Sequence, residues 1–126
     1  MSAKNKLEQI IFDERYPARR ILAVLSNKWT PIVIYCLSSG VRRFGEMERA
    51  LPGISRKMLT QVLRQLERDG LVKRAVHPVV PPMVEYTLTA LGRSLHEPIA
   101  ALCLWASQNR RVLEIIERNR SLKAKI

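Results

Sequence analysis

Arg56, Lys57, Thr60, Gln61 and Arg64 fall on one side of a helical repeat, with no acid among them before Glu67. Guanidinium and ammonium groups bind phosphate. Arginine and glutamine also fork onto the base edges that a DNA major groove displays. The spacing makes Arg56, Gln61 and Arg64 candidates for base edges, and Lys57 and Thr60 candidates for the backbone. An ordinary solvated helix face has the same look, so this stretch alone leaves both readings open. No other constellation offers chemistry. His77 and His96 have no nucleophile partner in a motif, the acids are scattered singly, and a glycine-rich phosphate loop is absent. No catalytic residue and no enzyme activity are therefore expected. Cys36 and Cys103, the only cysteines, lack CxxC or Cys/His ligand spacing, so neither a metal nor a cofactor is expected. Both lie in apolar helical patterns and read as reduced, packed thiols.

The face needs a helix to carry it. Ile54 to Leu71, ISRKMLTQVLRQLERDGL, marks both ends of one. Ser55 suits the N-cap, Ile54 and Leu59 the hydrophobic staple, and Gly70 the left-handed stop with Leu71 turning back to Leu66. Met58, Leu59, Val62, Leu63 and Leu66 supply the apolar stripe. Upstream, VRRFGEMERALPG predicts a short helix on Phe44, Met47 and Leu51, ended by Pro52-Gly53. Two helices joined by a tight glycine-bearing turn form a helix-turn-helix. Arg42 and Arg43, at the start of the first, would reach phosphate; a solvated loop is the alternative. Downstream, Leu71 to Val76 and Val84 to Leu88 predict strands, with Val84, Tyr86 and Leu88 inward and Glu85 and Thr87 outward. The intervening HPVVPPM makes a stiff exposed loop. The hairpin turns the motif into a winged helix, with Lys73, Arg74 and His77 on or near the wing.

Residues 1–15 read as a polar extension, with Leu7, Ile10 and Ile11 hinting at a short helix. Pro17 suits a first turn ahead of Ile21, Leu22, Val24 and Leu25. Thr30 as N-cap and Pro31 open a second helix, which buries Trp29, Ile32, Val33, Cys36 and Leu37 and closes at Gly40. Thr89 starts a last long helix in which Leu91, Leu95, Ile99, Leu102 and Trp105 recur, with a bend at Pro98. The run IAALCLWA, from Ile99, is apolar all round and needs cover on both sides. A second copy of the chain is the obvious cover, giving a homodimer interface of Leu95, Ile99, Leu102 and Trp105. The chain's own N-terminal helices are the alternative cover. The chain divides into an extension 1–15, a domain 16–110 and a basic tail 111–126, in which the amphipathic pattern continues through Val112, Leu113 and Ile116 before the end frays.

A chain of 126 residues with 47% hydrophobic content builds one small core. Its net charge of +11 favours a polyanionic partner, nucleic acid or a membrane surface. No apolar run reaches the roughly 18 residues of a membrane span, and MSAKNKLEQ lacks a signal-peptide core. A cytoplasmic location and no membrane partner are expected. Aromatics, at 6%, are not interleaved with the basic face, which disfavours single-stranded RNA.

Several linked motifs carry a family resemblance: NKWT at Asn27 to Thr30, RRFGEM at Arg42 to Met47, LPGISRKMLTQVLRQLERDGLVKR at Leu51 to Arg74, VPPMVEYTLTALGRSL at Val80 to Leu95, and Trp105. From Tyr16 to Trp105 the chain resembles the HxlR family of bacterial winged-helix transcription regulators, relatives of the MarR group. The resemblance implies a mostly α fold with a small antiparallel β-hairpin, and a homodimer binding double-stranded, palindromic operator DNA. It also implies a recognition helix at Ser55 to Asp69, a wing at Leu71 to Leu88, and dimer contacts from the first and last helices. Several members sense electrophiles or oxidants through a cysteine just before a proline near the domain start. Tyr16 stands there in this chain, before Pro17, and the role is not carried to Cys36 or Cys103. Any signal would need another trigger, such as an unidentified small-molecule effector near the dimer helices. The competing class is a winged-helix protein-interaction module without sequence-specific DNA binding.

Overall fold

The computed structural model describes residues 3–12, 15 and 17–124. In chain order the elements are α1 (Ala3–Phe12), α2 (Pro17–Val24), α3 (Trp29–Leu37), β1 (Arg42–Arg43), α4 (Phe44–Ala50), α5 (Arg56–Arg68), β2 (Val72–His77), β3 (Met83–Leu88), α6 (Ala90–Arg93), α7 (His96–Gln108) and α8 (Arg110–Ala124). The fold is mostly helical, with one small antiparallel sheet in the order β1-β3-β2.

The core forms where the apolar stripes of three helices meet. Val33, Ile34 and Leu37 of α3, Met47 of α4, and Leu59, Val62, Leu63 and Leu66 of α5 are all buried. Leu71, Val72 and Leu88 close it from the sheet, and Ile99 from α7. Three helices and a hairpin thus bury one face each, which is what fixes the tilt of α5.

Both ends of α5 are built as the residue types dictate. The Ser55 hydroxyl accepts the Met58 N–H at 3.0 Å. At the other end Gly70 takes φ +75°. Leu71 N–H then donates to the Leu66 carbonyl at 2.9 Å and Gly70 N–H to the Glu67 carbonyl at 3.1 Å. Those two bonds are the Schellman closure, which orients the chain into β2. Ser55→Ala is expected to lower unfolding free energy by about 1 kcal/mol, read as a shifted denaturant midpoint at constant slope.

Several details differ from expectation. Arg42 and Arg43 lead into α4, with Arg43 at its N-cap, but they are not a loop: they form β1, pairing with Tyr86 and Glu85. That makes β3 a central strand flanked on both sides, so its residues from Met83 to Thr87 are all half-buried and the inward–outward alternation is blurred. Thr30 is not the cap of α3 but lies inside it, buried; the Asn27 side chain accepts the Trp29 N–H at 2.8 Å instead. Trp29 and Cys36 are half-buried, while Ile32 is exposed.

The single long helix expected from Thr89 is three helices. Thr89 caps α6, its hydroxyl accepting the Gly92 N–H at 3.1 Å and donating to the Gly70 carbonyl at 2.6 Å. Gly92 packs directly on the Leu71 carbonyl, where a Cβ would collide with backbone. These contacts tie the end of α5 to α6 and dictate its direction, so the chain must break before α7. Pro98 consequently sits in the first turn of α7, where its missing N–H costs nothing, rather than bending a continuous helix. Val112, Leu113 and Ile116 lie in a helix, α8, which runs on to Ala124 where fraying was expected. Leu7, Ile10 and Ile11 do lie in a helix, α1.

Candidate nucleic-acid interface

Burying Leu59, Val62, Leu63 and Leu66 turns the opposite side of α5 outward. Lys57, Gln61, Arg64 and Arg68 recur at i, i+4, i+7 and i+11 and are all exposed, as are Ser55 and Arg56. This is one line of three cations and an amide, facing directly away from the core. Arg68 escaped the sequence reading because its position in the last turn suits a helix C-terminus equally well. Its spacing from Arg64 was the available signal.

The remaining candidates flank this line on two sides. Toward the wing, a cleft of about 500 Å³ separates α5 from the sheet. Arg56, Thr60, Arg64 and Glu67 line one wall, and Arg74, Val84 and Tyr86 the other. Arg74 and Arg42 both stand opposite Tyr86 in the sheet register, so they share that face. Arg43 stands opposite Glu85, on the other face, beside the wing loop. Lys73 is exposed on β2. Gln61 does not join the wing-side cleft but lines a second one, against Ser26, Asn27 and Thr30.

Three candidates are tied to the protein itself. The Arg56 guanidinium lies 5.4 Å from the Phe44 ring centroid and 3.8 Å from the Glu48 carboxylate. It bridges α4 and α5 at the surface while its side chain stays mostly exposed. The Thr60 hydroxyl donates to the Arg56 carbonyl at 2.7 Å, and Arg42 donates to Ser39 Oγ at 2.9 Å. Lys57, Gln61 and Arg64 are the α5 candidates that project into solvent. His77, at the end of β2, sits 3.6 Å from Glu85, a structural contact on the wing.

The expected pairing residues separate in the same way. Ile99 is 5% exposed and belongs to the chain's own core, and Leu95 is half-buried against it, because the α6–α7 break points that side of α7 inward. Leu102 and Trp105 are exposed, together with Leu104. The chain's own N-terminal helices therefore do not cover them. Cys36 and Cys103 line an apolar cleft of about 420 Å³ between α3, α4 and α7, with Tyr35 and Leu51. Burial pushes the Cys36 thiol above its ordinary range, with Arg42 pulling the other way. Tyr16 lies outside the described residues. Among the described residues no helix is long and apolar enough to cross a membrane.

Known proteins share this arrangement. The HTH-type transcriptional regulator YtfH of Escherichia coli (strain K12) is 41% identical over 99 residues, 79% of each chain. A transcriptional regulator of the MarR family from Porphyromonas gingivalis W83 has a solved structure that superposes with TM-score 0.74 at 39% identity, covering 77% of this chain and 95% of that one. The redox regulator HypR in its reduced form gives TM-score 0.73 at 44% identity over 78% and 97%. The family model for HxlR-like helix-turn-helix proteins matches residues 24–114, which takes in the core, the outward line on α5 and the wing. With most of the chain matched, this protein belongs to the HxlR-like helix-turn-helix family of transcription regulators.

Proposed function

We propose that the protein is a sequence-specific regulator that binds palindromic operator DNA as a homodimer, and that it is not an enzyme. The observation that carries this is the uncovered line of Lys57, Gln61, Arg64 and Arg68 on a helix whose other side is locked into the core. Gln61 and Arg64 read base edges. Lys57, Arg68, Lys73 and Arg74 contact the backbone. Arg42, Arg43 and Arg56 lend the surface positive potential, Thr60 bonds back to its own helix, and Ser55 caps the helix that enters the groove.

Apolar groups exposed on the terminal helices support the homodimer. Leu22, Leu102, Leu104 and Trp105 are all exposed, a load a monomer rarely leaves in water. Twofold pairing would set two copies of α5 roughly 34–36 Å apart, one turn of DNA, or a multiple of that. The apolar cleft beside α7 is the place for an effector. The redox role in HypR's name is not assigned to Cys36, since its raised pKa disfavours the reactive thiolate.

Selecting bound sequences from random duplex DNA tests the function. Recovery of one inverted repeat is expected, and recovery of nothing above background would favour a protein-interaction module. A smaller effect should come from Glu48, which restrains Arg56. Glu48→Gln is expected to tighten binding to random duplex at low salt by up to about fivefold, the upper range for releasing an exposed pair. Its unfolding midpoint should barely move.

A further inference from the structure

Trp29 joins two features that lie apart in sequence. The Lys28 ammonium sits 5.4 Å from its ring centroid. Its Cη2 edge lies 3.9 Å from where a side chain on Gly53 would begin. Gly53 is in the turn that enters α5, two residues before the Ser55 cap. The indole therefore holds Lys28 beside the entering end of the recognition helix.

A separate observation places the same corner along that helix. A cleft of about 470 Å³ has Ser26, Asn27 and Thr30 on one wall and Gln61, Gln65 and Asp69 on the other. The Asn27 side chain fixes the corner through the Trp29 N–H. The one acid, Asp69, accepts the Gln65 amide at 3.1 and 3.2 Å at the C-terminal end of α5, away from Gly53.

A helix in the major groove has a sugar–phosphate strand on each side, across a groove about 12 Å wide. Arg74 meets the strand on the wing side. We propose that Lys28, at the α2–α3 corner, binds a phosphate of the opposite strand. This rests on the DNA-binding reading above, extends it to the far side of the groove, and assigns the lysine a role in affinity without sequence preference.

The test compares the full-length wild type with Lys28→Ala and Lys28→Arg, titrating a selected operator duplex and a random duplex between 50 and 200 mM salt. For Lys28→Ala the slope of log affinity against log salt should fall by about 1.8 on both duplexes, about 0.9 for each protomer of the dimer. Its deficit is then about twelvefold larger at 50 mM than at 200 mM. Lys28→Arg should keep the wild-type slope. A wild-type slope for Lys28→Ala, with or without a drop in melting temperature, overturns the proposal and leaves only packing on Trp29. Absence of duplex binding by the wild type would instead bring down the DNA reading itself.

Discussion

Leu102→Glu combined with Trp105→Glu should yield a monomer with operator affinity lower by about 10²–10⁴-fold, the range lost when two linked binding events become one. Both side chains are exposed on α7, at 65% and 48%, with Leu104 beside them at 60%. Neither belongs to the core, which α7 joins through Ile99. Two buried charges in an interface are strongly unfavourable, while two charges in water cost a folded monomer little. Sedimentation equilibrium should show the mass halved, with unfolding of the domain still cooperative. A variant that stays dimeric would place the twofold axis elsewhere, on α1, α2 or α8. Wild type that is itself monomeric would remove the palindrome from the account. The same change at Ile99 would be a poor test, since it would unfold the core instead.

Arg64→Ala should cost about 1–3 kcal/mol of operator binding, roughly five- to 150-fold, and should relax discrimination at one position in each half-site. Arg64 lies on the outward line and also on the wall of the wing-side cleft, so it stands where the groove floor would pass. A bidentate guanidinium–guanine contact is lost with the side chain, whereas a phosphate contact would weaken all sequences alike. Titration against a panel of single-base operator variants separates the two. A uniform loss would move Arg64 to the backbone-contacting set, and no loss would take it out of the interface. Arg56, restrained by Glu48 and Phe44, is expected to give the smaller and sequence-independent effect of the two arginines.

Local signals were the legible part. Ser55 and Gly70 mark the ends of α5 through hydrogen bonds made within a few residues, and the apolar stripe fixes which side turns outward. Those signals survive in the fold because no distant contact competes with them. The parts that escaped depend on distant partners. A two-residue strand such as β1 has no periodicity to detect; only its register with Tyr86 and Glu85 defines it. The break between α6 and α7 follows from Thr89 and Gly92 meeting Gly70 and Leu71 across about twenty positions of sequence. The helical spacing of Leu95, Ile99, Leu102 and Trp105 was visible, but which of them the core takes is set by that break. The wing flank of α5 was legible from the strand pattern that follows it, whereas the α2–α3 corner on the other flank was not, because no local signal brings it beside α5.

The sharpest single measurement is the affinity of the combined variant Lys57→Ala, Gln61→Ala, Arg64→Ala for the selected operator duplex, beside wild type at the same salt. Those three side chains face solvent and contribute nothing to the core, so the variant should melt like wild type. Sequence-specific binding should vanish, leaving only weak affinity that is the same for any duplex. Retention of the same operator preference would mean that DNA is read by some surface other than this helix.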